Sequence, residues 1–195
     1  MSARSDTKSK ILEAAVRLFS EREFESVTLQ DIGTKIGIRH ASIYEHFKSK
    51  GDLFLATCQH AMEGGQGAVD SAVPEDASAE ERLKGYVRGN LRSVLKNPQF
   101  VQPILGLYYF ARFRPELREL LDQIDRASVA RIEILIKQGV RERSWPKKDP
   151  TQSARVIHSM LVGELIKAYY RPAEHGEKRR VSGIWSSVLR ILREP

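Results

Sequence analysis

The sequence predicts an all-α protein of about nine helices, on three observations. Apolar residues recur at helical spacing in one stripe after another. No segment alternates apolar and polar residues as a half-buried strand would. The stripes are separated by residues that start and stop helices. There is no internal repeat and no low-complexity tract.

The first stripe is Ile11, Leu12, Ala15, Val16, Leu18 and Phe19. Residues 28–50 hold two short helices joined by a tight corner. A fourth helix carries Leu53, Phe54, Thr57, Cys58 and Ala61. Residues 64–80, rich in Gly, Ala, Ser and acid, read as a connection. The stripe Leu83, Val87, Leu91, Val94 and Leu95 ends at Asn97-Pro98, where proline disfavours helix in the preceding residue. Residues 100–113 are apolar on nearly every side, which predicts a helix buried all round, with Pro103 in its first turn or kinking it. Arg114-Pro115 restarts a long amphipathic helix through Leu117, Leu120, Leu121, Ile124, Ser128, Ile132, Leu135 and Ile136, closed by Gly139 and residues 143–150. Two more helices follow, one with Val156, Ile157, Met160, Leu161, Leu165, Ala168 and Tyr169, the other with Val181, Ile184, Trp185, Val188, Leu189 and Leu192.

The chain has 195 residues, of which 41% are hydrophobic and 29% charged. A chain this long buries enough surface to hold a core without disulfide or metal. Its single cysteine, Cys58, excludes an intramolecular disulfide and a Cys-paired zinc site, and it suits a reducing cytoplasm. The polar start from Met1 to Lys10 predicts no secretory signal, and no run of about 18 apolar residues predicts a membrane span. The expected location is cytoplasmic.

The formal net charge is +7. That suggests nucleic acid, but its distribution weakens the inference. Residues 1–55 hold 9 Lys/Arg against 8 Asp/Glu, whereas 56–195 hold 23 against 17. A DNA-binding assignment for the N-terminus therefore rests on where side chains are placed.

That placement is read from residues 28–50, TLQDIGTKIGIRHASIYEHFKSK. Thr28 can cap the first of the two helices, and Asp31 suits its positive end. Ile32 and Ile36 share one face, with Gly33 between them as a side chain of zero size. Gly37 can take positive φ and end the helix in a sharp turn. Ile43 and Phe47 turn inward from the second helix. Two short helices, a small residue where they cross and a glycine at the corner make a helix-turn-helix. The outer face of the second helix would carry Arg39, His40, Ser42 and His46. Arg39, Ser42 and His46, spaced i, i+3, i+7, would face the base edges of a major groove. Tyr44, Lys48 and Lys50 would bind phosphate.

Residues 11–54 resemble the N-terminal domain of the TetR family of bacterial repressors. The run Ile43-Tyr44-Glu45-His46-Phe47-Lys48-Ser49-Lys50 is similar to the family's LYxHFxxK signature. By that resemblance Thr28 matches a phosphate-touching threonine, and Tyr44, His46 and Lys50 match DNA-contacting positions. Four residues depart from the pattern. Glu23 stands for a glycine, Gly33 for an alanine and Gly51 for an acidic residue, and Glu45 on the recognition helix is expected to point sideways.

The resemblance implies a DNA-binding domain over residues 1–51 and a ligand-binding and dimerisation domain over 52–195. It implies a homodimer in which the last two long helices pack against their symmetry mates, and the apolar stripes of those helices support it. Two recognition helices would then stand about 34–36 Å apart on a pseudo-palindromic operator. An effector pocket is expected among the central helices, lined by Phe100, Leu105, Tyr108, Tyr109, Phe113, Ile124, His158, Met160 and Tyr169. So aromatic a set suits a small apolar or aromatic effector. Glu164 could bond a ligand or a partner arginine, Trp145 could be a lid or a surface anchor, and Lys178-Arg179-Arg180 reads as solvated. The expected function is a repressor of transcription released from DNA by its effector.

Enzymes are disfavoured. No Walker loop, GxGxxG or HExxH occurs, the five His are scattered, and Cys58 sits on an apolar stripe without an adjacent base. No catalytic residue, metal or cofactor is expected. The alternative is a helical adaptor whose helix-turn-helix binds protein.

Overall fold

The structure is a computed structural model that describes residues 3–70, 76–146 and 149–193. The described residues contain nine α-helices and no strand. They are α1 (Ala3–Glu21), α2 (Leu29–Ile36), α3 (His40–Tyr44), α4 (Lys50–Asp70), α5 (Ala79–Lys96), α6 (Gln102–Phe110), α7 (Pro115–Arg141), α8 (Pro150–Tyr170) and α9 (Glu177–Arg193). Short 3-10 turns occupy Phe24–Ser26 and Pro98–Phe100. The chain divides into two compact units. One is Met1–Gly64 with Pro98–Leu120, and the other is Gly65–Asn97 with Leu121–Pro195.

The first unit is built on α1, whose Ile11, Ala15, Val16, Leu18 and Phe19 are all buried. Their helical spacing gives one apolar face, against which α2 and α6 pack. Phe19, Phe24, Phe54 and Phe110 make an aromatic cluster, with Phe24 lying 5.7 Å from Phe19, 4.9 Å from Phe54 and 5.2 Å from Phe110 between ring centroids. Such pairs add roughly 0.5–1.5 kcal/mol each beyond their buried area. Glu23, read as departing from the pattern, has φ −60 and ψ 146. That is ordinary extended backbone, so glycine is not required there. Cys58 is buried with its Sγ 3.4 Å from the Pro103 carbonyl, and burial pushes its thiol up to about 12. A thiol so held is a poor nucleophile.

The expectation that residues 100–113 form a helix buried all round is corrected. Helix α6 ends at Phe110, and of its residues only Pro103 and Leu107, four apart, are buried. Tyr108, Tyr109 and Phe113 are 37%, 66% and 65% exposed. The helix buries one face, with Tyr108 and Tyr109 off it, while Phe110 packs into the aromatic cluster.

The second unit packs α5, α8 and α9 against one another. A capping box opens α5, with Ser78 Oγ accepting from the Glu81 amide and the Glu81 carboxylate accepting from the Ser78 amide. The α9 stripe Val181, Ile184, Trp185, Val188 and Leu192 is buried within the chain. That stripe closes the chain's own core, so it does not argue for a partner subunit.

Four local expectations also change. The connection read over 64–80 starts later, because α4 continues to Asp70; residues 71–75 lie outside the described residues. Gly139 does not end α7. A Cβ there would lie 2.0 Å from Trp145 Cζ2, so the missing side chain makes room for that ring. Trp145 is buried and donates its indole N–H to the Ile136 carbonyl at 2.9 Å, which makes it a core anchor and neither a lid nor a surface anchor. Lys147 and Lys148 of the segment read as closing α7 lie outside the described residues. Arg180, read as solvated, is 4% exposed. It donates to Glu164 Oε1 at 2.5 Å, to the Arg171 carbonyl at 2.6 Å and to the His175 carbonyl at 2.9 Å. Lys178 and Arg179 are exposed as expected.

Candidate nucleic-acid interface

Helix α2 starts at a complete capping box. Thr28 Oγ1 accepts from the Asp31 amide at 3.1 Å, and the Asp31 carboxylate accepts from the Thr28 amide at 2.9 Å and from the Thr28 hydroxyl at 2.7 Å. These bonds from Thr28 hold the Asp31 carboxyl below the usual carboxylate range, with a smaller contribution from Arg22 at 3.8 Å. The Thr28 hydroxyl is therefore committed to Asp31 and must rotate before it can donate to a phosphate. The far end of α2 is closed by Gly37 at φ 73 and ψ 28, a left-handed conformation that glycine adopts without steric cost. The Ile38 amide then bonds the Gly33 carbonyl at 2.9 Å. A Cβ on Gly33 would sit 2.7 Å from the Ile38 carbonyl oxygen and 3.3 Å from the His40 amide nitrogen. Here glycine allows a closer corner than alanine would.

Helix α3 spans only five residues, His40–Tyr44. Ile43 is fully buried and Phe47, just past the helix, is 5% exposed, so the inner side is fixed as predicted. The spacing argument for Arg39, Ser42 and His46 is corrected. Arg39 is the extended residue before α3, and His46 lies in the turn after it, so they flank the helix rather than share its face. Periodicity alone could not show that the helix stops at Tyr44. Arg39, His40, Tyr44 and Lys48 are exposed, while Ser42 and His46 are half-buried. Glu45 is exposed directly after the helix. The corner thus presents two cations, two imidazoles and a phenol around an inward apolar anchor. These groups suit base edges and phosphates.

Lys50 stands apart from the others. Its ammonium lies 4.4 Å from the centroid of Phe24 and donates to the Glu25 carbonyl at 3.2 Å. Burial lowers its pKa below the usual lysine range, the Glu25 charge opposes the shift and the Arg114 charge adds to it. Two supports of this corner escaped the sequence reading. Lys8 lies 5.8 Å over the Phe47 ring, and Arg114 lies 5.2 Å from Phe24. Both reach across long stretches of chain, where no local spacing signals them.

The nine residues expected to line a pocket are divided between the two units. Phe100, Leu105, Tyr108, Tyr109 and Phe113 belong to the first, and Ile124, His158, Met160 and Tyr169 to the second. Tyr109 and Phe113 pack edge to face at 5.9 Å. Ile124 is buried, His158 Nε2 lies 3.2 Å from Asp125 Oδ1, and Tyr169 packs edge-on against Tyr170 at 5.1 Å. Met160 lines a groove of about 370 Å³ between α8 and α9, together with Gly163, Glu164, Lys167 and Gly183. Among the described residues no group of His, Cys, Asp and Glu could hold a metal ion, and no helix is long and apolar enough to cross a membrane.

Comparison with known proteins assigns the N-terminal segment. Residues 11–57 match the family model described as bacterial regulatory proteins, tetR family. The biofilm operon icaADBC negative transcriptional regulator IcaR of Staphylococcus aureus (strain Newman) is 43% identical over 47 residues, covering 24% of this chain and 25% of IcaR. The match to the transcriptional regulator YerO of Bacillus subtilis (strain 168), 36% identical over 56 residues, covers 29% of this chain and 19% of YerO. The matched segment thus covers a quarter or less of these two relatives' lengths, whereas the nucleoid occlusion factor SlmA of Vibrio vulnificus (strain YJ016) is 22% identical over 91% of this chain and 93% of its own. The fold extends further. A regulator from Saccharomonospora viridis in complex with choline aligns with TM-score 0.86 at 20% identity, over 98% of this chain and 100% of that one. AibR, solved with isovaleryl coenzyme A and operator DNA, aligns with TM-score 0.71 at 23% identity, over 92% and 96%.

Proposed function

We propose that this chain, whose residues 11–57 match the tetR family model, is a sequence-specific transcriptional repressor that a small effector releases from DNA. The observation that carries this reading is the corner formed by α2 and α3. Its apolar anchors Ile43 and Phe47 face inward, while Arg39, His40, Tyr44 and Lys48 stand exposed. Residues 1–51 are assigned the reading of DNA, with Arg39, His40, Ser42 and His46 at the bases and Thr28, Tyr44, Lys48 and Lys50 at phosphates. Residues 52–195 are assigned effector binding and dimerisation.

A homodimer on a pseudo-palindrome is supported by the groove on the second unit. A Cβ added to Gly163 or Gly183 would meet nothing within 4 Å, so the chain's own packing does not require glycine at either position. Close approach of a second copy would. An apolar or aromatic effector is supported by the aromatic side chains that α6 leaves uncovered. Ligand-bound relatives of the same fold carry choline or an acyl coenzyme A. Release follows if the effector binds better to the dimer whose recognition helices are misplaced for DNA.

The test is selection of bound sequences from random duplexes, with the salt dependence of the winner measured. Arg39→Ala is expected to relax preference at one base pair, a loss of about 1–3 kcal/mol against the best sequence. Unchanged specificity in both Arg39→Ala and Tyr44→Ala overturns the assignment of α3. Duplex binding with no salt dependence overturns the DNA reading in favour of a protein-binding adaptor.

A further inference from the structure

The first unit holds a concentration of positive charge that its own packing does not require. Lys50 and Arg114 both lie against Phe24, at 4.4 Å and 5.2 Å from the ring centroid. A Cβ on Gly51 would fall 2.8 Å from Arg114 Nη1 and 3.5 Å from Ser49 Oγ, so the guanidinium reaches the first turn of α4. Arg114 itself precedes α7, its carbonyl accepting from the amides of Leu117 at 3.2 Å and Arg118 at 3.1 Å. At that position Ser, Thr, Asp or Asn is the favoured residue.

Three electrostatic preferences are violated together. A cation stands at the positive end of α4, another at the positive end of α7, and the two lie close enough for Arg114 to disfavour the charge on Lys50. The acids of these elements bond neither cation. Asp52 and Glu116 complement the helix ends from the first turns of α4 and α7, and the Glu25 carboxylate acts on Lys50 through space while its carbonyl takes the hydrogen bond. Among the described residues the ion pairs lie elsewhere, and neither Lys50 nor Arg114 has a carboxylate partner. Ser49 Oγ accepts from the Asp52 amide at 3.0 Å, which leaves its proton available to an acceptor. Local rules broken together in one place mark a functional site, where the missing counter-charge comes from outside.

We propose that Lys50 and Arg114 together grip one phosphate of the DNA backbone, so that Arg114, outside the helix-turn-helix in sequence, belongs to the nucleic-acid interface. This rests on the DNA-binding reading above. It also accounts for Gly51. The acidic residue usual in the family at that position would fill the space and neutralise the guanidinium.

The test is fluorescence anisotropy of the full chain on its selected duplex across a salt series. Arg114→Gln is expected to weaken binding roughly tenfold for every duplex alike. The same substitution should flatten the slope of log K against log salt by about 1 per protomer. Arg114→Lys should keep most of that slope. Gly51→Asp should weaken binding as Arg114→Gln does without lowering the melting temperature, since an acid suits the start of α4. A purely structural Arg114 would not link an acid at position 51 to the salt slope. Wild-type binding together with unchanged slopes in Arg114→Gln and Gly51→Asp overturns the clamp. No salt-dependent duplex binding by the wild type overturns the DNA reading, and the clamp with it.

Discussion

At the scale of single residues, the capping chemistry dominates what could be read in advance. Thr28, Asp31 and Gly37 act within a few positions of one another, so their pattern is visible in the sequence. Lys50 is the opposite case. Its partners Phe24 and Glu25 lie in an earlier turn of the chain, and only the fold shows its ammonium drawn onto a ring. The caps also set a pH dependence. Asp31 and Glu81 are both held below the usual carboxylate range by bonds from Thr28 and Ser78. A carboxylate so shifted contributes stability that is complete above its ordinary pKa and is lost as pH falls through its folded pKa. The double variant Thr28→Ala, Ser78→Ala should melt lower than wild type at neutral pH and show a shallower decline into acid. Melting curves followed by circular dichroism across pH check this, and parallel acid branches would remove the caps from the account.

At the scale of elements, helical stripes predicted position well and length poorly. The stripes of α1, α5 and α9 are buried as read except Leu12, Leu95 and Leu189, which are half-buried. The errors arose where a helix goes on or stops without changing its composition. Helix α4 runs on through Gly64 and Gly65, and α3 stops at Tyr44 although helical spacing continues. Gly139 shows why a glycine near a helix end is ambiguous. It resembles a terminator, yet its function is to admit the ring of Trp145, which no local pattern announces. Gly139→Ala should therefore destabilise the chain by about 2 kcal/mol, despite alanine's better helix propensity. Urea denaturation measures it. Stability equal to or above wild type would mean that the ring moves aside freely.

At the scale of the whole molecule, helix class and helix order were legible, because burying amphipathic faces leaves few solutions. Which faces meet a partner was not legible. The stripe of α9 reads as a candidate for an interface but is spent inside its own unit. The glycines of the α8–α9 groove are the better guide, since nothing in the chain itself calls for them. For the proposed homodimer, Gly183→Arg should halve the mass in solution and weaken binding to the selected duplex. Sedimentation equilibrium decides it, and an undiminished mass would exclude this groove from the dimer.

One guanidinium holds the corner after α8. Arg180 bonds a carboxylate on α8 and two carbonyls of the segment that follows it. Because one planar group makes all of these bonds, withdrawing it removes them together. Arg180→Gln should then strip protection from the amides of residues 171–176 as a group in hydrogen exchange, whereas protection lost at isolated amides would show that the segment holds itself. A single side chain thus splices the end of one helix to the start of the next.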